Sequence, residues 1–317
     1  LMNIYLVTSG DSLSGGVGTY ICDMKSLFKG AKLISDSSEA DVVIAGLKRK
    51  LSLASIVKFI KFKYKNDGIY IFHSSSGILL SIIANLLPFS QKNIIVFHGL
   101  ASRYSGYFAK CIEIIGYRLN KNNVFMNYDD PSFLGAKTYI YIPNYSKRAI
   151  ANTSNINGDL VTVTRNSSQK DNKTLINVVP NLNGILRLYT NEKDAIFFKS
   201  KNVKNLITAS TDVKDEIYNA RSVFILSTFS EGFPLSIIEA SCSGLPVLCS
   251  NLSILRGVLG DSVLYFNDEL ELQSKIDRLQ SDPDFYVEMS CKSMMLAAEF
   301  TYERWRKSWS NLLSGLN

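Results

Sequence analysis

Apolar residues along this chain fall in short continuous runs separated by longer mixed stretches. In the first half the runs are 3–8 (NIYLVT), 41–45 (DVVIA), 69–72 (IYIF), 93–97 (NIIVF), 123–126 (NVFM) and 138–142 (TYIYI). A run apolar at every position, rather than at every second one, predicts a strand buried on both faces. Helix-length patterns lie between several runs, at 17–29, 51–65, 77–87 and 104–120. Strands alternating with helices predict a parallel sheet covered on both sides.

The series ends at IPNYS (142–146), and the turn-forming stretch SKRAIANTSNINGD reads as a link. A second series follows at 160–164, 175–179, 184–188, 195–198, 205–208, 223–227, 246–249 and 263–266, with helices at 212–220 and 235–243. The tail, 283–317, reads as helical. The pattern predicts two α/β domains in tandem, 1–146 and 147–300, and a closing helix at 301–317. A length of 317 residues agrees with two domains.

Composition adds little to this picture, and charge adds more. No stretch reaches the roughly 18 apolar residues of a membrane span. The opening LMNIYLV leads directly into a strand and predicts no secretory signal. Five scattered cysteines (22, 111, 242, 249, 291) form no C-x-x-C, so neither a disulfide framework nor a zinc site is expected, and a reducing cytoplasm is. Residues 1–146 hold 16 basic and 9 acidic side chains, so they carry the whole net +7; residues 147–317 hold 19 of each. An anionic partner is therefore expected for the first half. The charge has no nucleic-acid motif beside it, so nucleic acid is not expected.

The chemistry concentrates in SEGFPLSIIEASCSGLPVLCS, residues 230–250. RSVFIL before it reads as a strand. STFSEGFP is a loop, Pro234 suits the first turn of a helix, Gly244 ends that helix, and LPVLCS is the next strand. Open α/β sheets bind ligands at the carboxyl ends of their strands, where this loop falls. Glu231 in the loop and Glu239 one turn into the helix are expected to face one crevice. Each carboxylate could accept hydroxyl hydrogen bonds from a sugar or ribose diol.

EGFPLSIIEASCSGLPV resembles the hallmark of the family 4 glycosyltransferases, retaining enzymes of GT-B fold, in which a second glutamate lies eight positions after the first. VTVTRNSSQKDNKTLINVV resembles the family's opening of its second domain, with Arg165 and Lys170 at the family's spacing, although Asp171 replaces the usual glycine. SGDSLSGGVGTYICDM resembles the glycine loop of the first domain, and FTYERWRKSW the helix that crosses back to it.

The resemblance implies two Rossmann-like domains facing each other across a cleft, and a nucleotide-sugar donor, UDP- or GDP-linked. Arg165 and Lys170 would stabilise the departing diphosphate without metal or cofactor. Gly15 and Gly16 would bring backbone N–H groups close to it. Glu239 would hold the ribose. Glu231, with Gly232, Pro234 and the backbone N–H groups of Phe233 and Leu235, would hold the sugar hydroxyls and favour the sugar's oxocarbenium-like character. His98, where family members carry a histidine near the reacting sugar, is a further catalytic candidate. His73 ends the preceding strand. Base recognition falls near Thr208 to Thr211, where ITAST lacks the usual glycine.

The acceptor implied is a glycan, lipid-linked, in bacterial surface polysaccharide synthesis. The basic amphipathic segment 48–65 would meet an anionic inner membrane face as a peripheral contact; its plainer reading is a solvated helix face. Three other readings bear on the same residues. A sugar-nucleotide epimerase or a non-catalytic binding subunit could share the fold. Gly15, Gly16, Gly18 and Asp36 loosely suggest a dinucleotide site, but the loop is too long and the third fingerprint glycine is missing.

Overall fold

The computed structural model describes residues 3–13, 16–47, 51–87, 92–182, 184–199 and 214–316. The expected strand at 205–208, the base loop Thr208–Thr211, Gly15 and the first three residues of the basic segment 48–65 lie outside the described residues. The chain divides into two compact units, Leu1–Asn144 with Arg306–Asn317, and Tyr145–Trp305.

The first unit runs β1 (Ile4–Val7), α1 (Gly16–Leu27), β2 (Lys32–Ser35), β3 (Val42–Val43), α2 (Leu53–Lys65), β4 (Ile69–His73), α3 (Ser74–Leu86), β5 (Asn93–Phe97), α4 (Ser102–Ser105), α5 (Tyr107–Leu119), β6 (Asn122–Phe125), α6 (Asp129–Leu134) and β7 (Ile140–Tyr141). Its sheet is wholly parallel in the order β3-β2-β1-β4-β5-β6-β7. Leu6 pairs with Ile71, Phe72 with Ile95, and Val96 with Val124. Strands β4 and β5 are buried at every position, as continuous apolar runs predict. The chain starts mid-sheet, moves outward to β3 and returns through α2 to β4. The loops after β1 and β4 therefore diverge from neighbouring strands, which is where such sheets take ligands.

The second unit runs β8 (Asp159–Val163), α7 (Asn172–Val178), β9 (Leu186–Tyr189), α8 (Glu192–Lys199), α9 (Lys214–Tyr218), β10 (Arg221–Leu226), α10 (Leu235–Cys242), β11 (Val247–Ser250), α11 (Ser253–Leu259), β12 (Leu264–Phe266), α12 (Glu269–Ser281) and α13 (Pro283–Glu299). The last helix, α14 (Tyr302–Ser314), contains the boundary at residues 305 and 306. The parallel sheet has the order β12-β11-β10-β8-β9. Alternate strand residues feed two cores. Val161, Phe224, Leu226 and Val247 pack with Ile237, Ile238 and Leu255. Leu160, Val223, Ile225 and Leu248 pack with Leu175, Leu272 and Ile276. Helices thus cover both faces.

Two predicted strands are helices. LINVV (175–179) lies in α7 and the single 3-10 turn after it, and AIFF (195–198) lies in α8. Local caps and helical burial override their β-branched and aromatic content. Asp171 accepts from Thr174 N–H and Asn191 from Asp194 N–H, while Leu175 and Val178, and Ala195 and Phe198, are buried three apart.

In the first turn of α1, Gly18 occupies a position with no room for a side chain. A Cβ on Gly18 would lie 1.7 Å from the Leu13 carbonyl oxygen, whereas one on Gly16 meets nothing within 4 Å. Gly18→Ala should lower the stability of the first unit by about 2–4 kcal/mol. Gly16→Ala should change it by less than about 1 kcal/mol. Urea unfolding of both variants tests this, and equal effects would refute it.

Candidate functional site

Strands β8 and β10 are neighbours, so the loops that leave their carboxyl ends meet. Two backbone hydrogen bonds tie them. Phe229 N–H donates to Gln169 O at 2.8 Å and Asp171 N–H donates to Ser227 O at 3.2 Å, and together they make Lys170 and Thr228 an antiparallel bridge. The Thr228 hydroxyl adds a bond to Gln169 O at 2.8 Å. With the loops so fixed, Lys170 Nζ forms a salt bridge to Glu231 Oε1. Only 13% of the lysine side chain and 15% of the glutamate remain exposed, so the pair is held largely out of water.

Arg165 leaves the same strand on the same loop. Its side chain is exposed, and Nη2 donates to Gln169 Oε1 at 2.6 Å. The loop beneath it is pinned by buried Asn172, which donates to Arg165 O at 3.1 Å and accepts from the Thr164 hydroxyl at 3.0 Å. Asp171, where glycine was expected, has φ −88° and ψ 69°, which any residue tolerates. It serves as the N-cap of α7, accepting from Thr174 N–H at 3.3 Å and from its hydroxyl at 2.6 Å.

The structure thus pairs Lys170 with Glu231 and places Arg165 on the same loop as Lys170, bonded to Gln169. Glu239 has its own partner: the hydroxyl of buried Tyr218 donates to its Oε2 at 3.0 Å. Burial, then the Glu239 charge, pushes the Tyr218 phenol well above its ordinary value, so it stays a donor. Sequence reasoning missed Gln169 and Tyr218. Gln169 acts mostly through its backbone, and Tyr218 lies 21 positions before its partner, so neither left a spacing signal.

The turn before α10 differs in one detail. Pro234 (φ −82°, ψ 66°) caps the helix rather than opening it, and Leu235 N–H, expected to donate to a sugar, donates to Phe233 O at 2.9 Å. These are the dihedrals and bond of an inverse γ-turn. Phe233 is half-buried, packed edge-to-face on Phe300, with ring centroids 5.4 Å apart. Gly232 is half-buried between it and Glu231. At the far end of α10, Gly244 takes φ +73° and ends the helix as expected.

In the first unit the two histidines meet. His73 Nδ1 lies 2.9 Å from His98 Nε2, at the ends of the neighbouring strands β4 and β5. Tyr20 stands edge-on to His98, centroids 4.9 Å apart, and its hydroxyl accepts from Trp309 Nε1–H at 2.8 Å. His73 is fully buried, and among the described residues its Nε2 has no hydrogen-bond partner. Ser74, next to it, takes φ +68°, a strained angle for serine that turns the chain sharply into α3. Gly16 is exposed at the start of α1. Asp36 Oδ1 accepts from Gly10 N–H at 2.6 Å, which gives it a structural task in place of the ribose contact of a dinucleotide site.

Comparison with known proteins follows these lines. Residues 197–293 match the family described as Glycosyl transferases group 1. An 89-residue stretch is 33% identical to the O-antigen chain mannosyltransferase B of Escherichia coli, covering 27% of this chain and 23% of that protein. The matches span between 23% and 37% of the curated relatives. Among solved structures, sucrose-phosphate synthase of Thermosynechococcus elongatus superposes with a TM-score of 0.84 at 14% identity, over 100% of this chain and 99% of that one. HepE of Anabaena, solved with UDP and glucose, gives 0.81 at 13% identity, over 99% and 100%. The fold is GT-B, as expected, and the residues that match the group 1 glycosyl transferases lie in the second unit.

Burial pushes His98 down to about 3, and burial followed by the neighbouring His98 charge lowers His73 well below its ordinary value. Both imidazoles are therefore neutral at pH 7. On acidification the unfolded chain takes up protons near pH 6.5 and the folded pair does not. Stability is thus lost as pH falls below about 6.5, by up to about 1.4 kcal/mol per pH unit per histidine. These are the chain's two histidines, so ¹⁵N-histidine NMR observes them alone. Neither ring should titrate between pH 7 and 5, and a midpoint near 6.5 would refute the paired geometry.

Proposed function

We propose that this protein is a retaining glycosyltransferase that moves a sugar from a nucleotide-sugar to a glycan acceptor without a metal ion. The observation that carries this reading is the Lys170–Glu231 pair, held at the carboxyl ends of adjacent parallel strands with Arg165 on the same loop. A planar guanidinium and an ammonium there offer a diphosphate the donors it needs. A group 1 segment supports the reading from sequence, and UDP and glucose are bound in the similar HepE structure.

In the reaction so read, the bond from the anomeric carbon to the diphosphate oxygen breaks and its electron pair leaves with the nucleoside diphosphate. Lys170 and Arg165 stabilise that charge. The acceptor hydroxyl oxygen bonds to the same face of the anomeric carbon, and its proton passes to the leaving phosphate oxygen. Glu231 accepts sugar hydroxyls and offsets positive charge on the ring, while Glu239, oriented by Tyr218, holds the ribose hydroxyls. The acceptor class is a lipid-linked surface glycan, supported by the similarity to an O-antigen mannosyltransferase.

The ion pair adds a consequence. Glu231 occupies Lys170, so an arriving diphosphate and Glu231 compete for one ammonium. Donor binding would transfer Lys170 to phosphate and release Glu231 to the sugar.

Glu231→Gln should therefore bind UDP or GDP as tightly as the parent protein or more so, while sugar transfer falls about 100-fold or more. Lys170→Ala should weaken nucleotide binding about tenfold. Calorimetry with both nucleotides and nucleoside diphosphate release in the presence of acceptor measure these effects. If neither nucleotide binds, the donor-site assignment fails. Transfer should persist in excess EDTA, and loss of transfer there would refute the metal-free mechanism.

A further inference from the structure

Strands β4 and β5 already pair in parallel from Tyr70 with Asn93 to His73 with Val96, so the contact between His73 and His98 is not needed to join them. The two rings differ in their surroundings. His73 is fully buried, and His98 is half-buried. On His98, Nε2 is engaged by His73 Nδ1 at 2.9 Å, and Tyr20 borders the ring. Its other nitrogen, Nδ1, reaches the surface and has no hydrogen-bond partner among the described residues. The pair therefore ends in two unengaged nitrogens: Nε2 of His73 sealed inside, and Nδ1 of His98 open.

Both rings are neutral at pH 7, so each carries one N–H and one lone pair. Two arrangements then make the hydrogen bond. In one, His98 Nε2–H donates to His73 Nδ1. His73 then buries an N–H that has no acceptor, and His98 presents a bare Nδ1. In the other, His73 Nδ1–H donates to His98 Nε2. His73 then buries only a lone pair, and His98 presents Nδ1–H. An N–H without an acceptor is the rarer orphan in protein interiors. His73 is also the N-cap residue of α3, and its side chain makes no capping bond. The partial positive charge at a helix N-terminus favours a lone pair over an N–H beside it. The stable arrangement therefore has Nδ1–H on both rings, although free histidine slightly prefers its proton on Nε2.

We propose that His73 is a positioning residue that holds His98 as its Nδ1–H tautomer, a neutral hydrogen-bond donor to an oxygen of the sugar substrate. The hydrogen bond that one ring nitrogen makes sets which nitrogen carries the proton, and here the buried ring sets it for the open one. His98 so held has no lone pair at its open nitrogen and cannot act there as a general base. That agrees with a transfer in which the acceptor's proton passes to the leaving phosphate oxygen. The role toward the sugar rests on the proposed glycosyl transfer. The tautomer rests on the first unit alone, so failure of nucleotide binding would leave it standing.

Long-range ¹H–¹⁵N correlation on the ¹⁵N-histidine-labelled full chain at pH 7 reads which nitrogen of each ring carries the proton. His73→Asn leaves His98 as the single histidine and assigns the signals. Both rings should show a protonated Nδ1 and a bare Nε2, and a proton on His98 Nε2 overturns the proposal. His73→Leu removes the N–H, so His98 should shift toward the Nε2–H form. Nucleoside diphosphate release from UDP-glucose and from GDP-mannose gives the kinetic constants. In His73→Leu, kcat should fall about tenfold or more while KM changes less than about twofold. His73→Asn, whose amide N–H stands in for Nδ1–H, should keep His98 in the parent tautomer and recover most of that loss. Equal losses in the two variants, or no loss in His73→Leu, overturn the positioning role. If neither sugar nucleotide is turned over, the role toward the sugar falls with the transfer reading, and the spectra still decide the tautomer. A melting transition checks folding; should His73→Leu unfold, the parent and His73→Asn spectra remain decisive.

Discussion

The candidate site depends on a backbone constraint more than on its charged side chains. β8 and β10 are adjacent, and the loops that leave them are bridged through Gln169, Lys170 and Asp171 on one side and Ser227, Thr228 and Phe229 on the other. That bridge fixes where Lys170 and Glu231 start. The ion pair then forms over a short, preset distance, with little side-chain freedom left to lose. A pair this shielded from water recovers its desolvation cost only with good geometry, and often contributes nothing to stability. The pair is better explained by chemistry than by folding energy.

The same division between frame and chemistry holds in the first unit. His73 and His98 are placed by the ends of β4 and β5, and the sharp turn at Ser74 carries the chain directly from His73 into α3. Trp309 of α14 secures Tyr20, whose ring borders His98. A residue near the carboxyl terminus thereby restricts a histidine over 200 positions earlier. Neither the imidazole pairing nor that support could be read locally, because each depends on strand order rather than on spacing.

Much of the fold was legible because parallel strands buried on both faces leave an unmistakable pattern: β4 and β5 fall within a residue of the runs that predict them. The errors are equally physical. LINVV and AIFF have the composition of strands, and only the caps at Asp171 and Asn191 with burial three apart make them helices. Glu231, Arg165 and Lys170 stand out in the sequence as a motif, but the pairing of Lys170 with Glu231 does not. Asp171 in place of glycine looked like a departure, and became intelligible once its negative φ and capping bonds were seen. The expected N–H of Leu235 failed for a reason no spacing reveals, since the turn at Pro234 spends it on Phe233.

The charge distribution separates two kinds of electrostatics in one chain. The second half is neutral overall, with 19 charges of each sign, so it projects little long-range field. An anion would be held there by a few fixed groups at short range, where the low polarity around a largely buried ion pair strengthens each contact. The first half concentrates the net +7. Fields from exposed cations act over roughly 10 Å in physiological salt, too diffuse to position a single phosphate but well matched to an extended negative surface. Local pairing suits recognition of a small ligand, and distributed unpaired charge suits adsorption. The neutral half holds the local pair of Lys170 with Glu231, and the basic half holds the net charge.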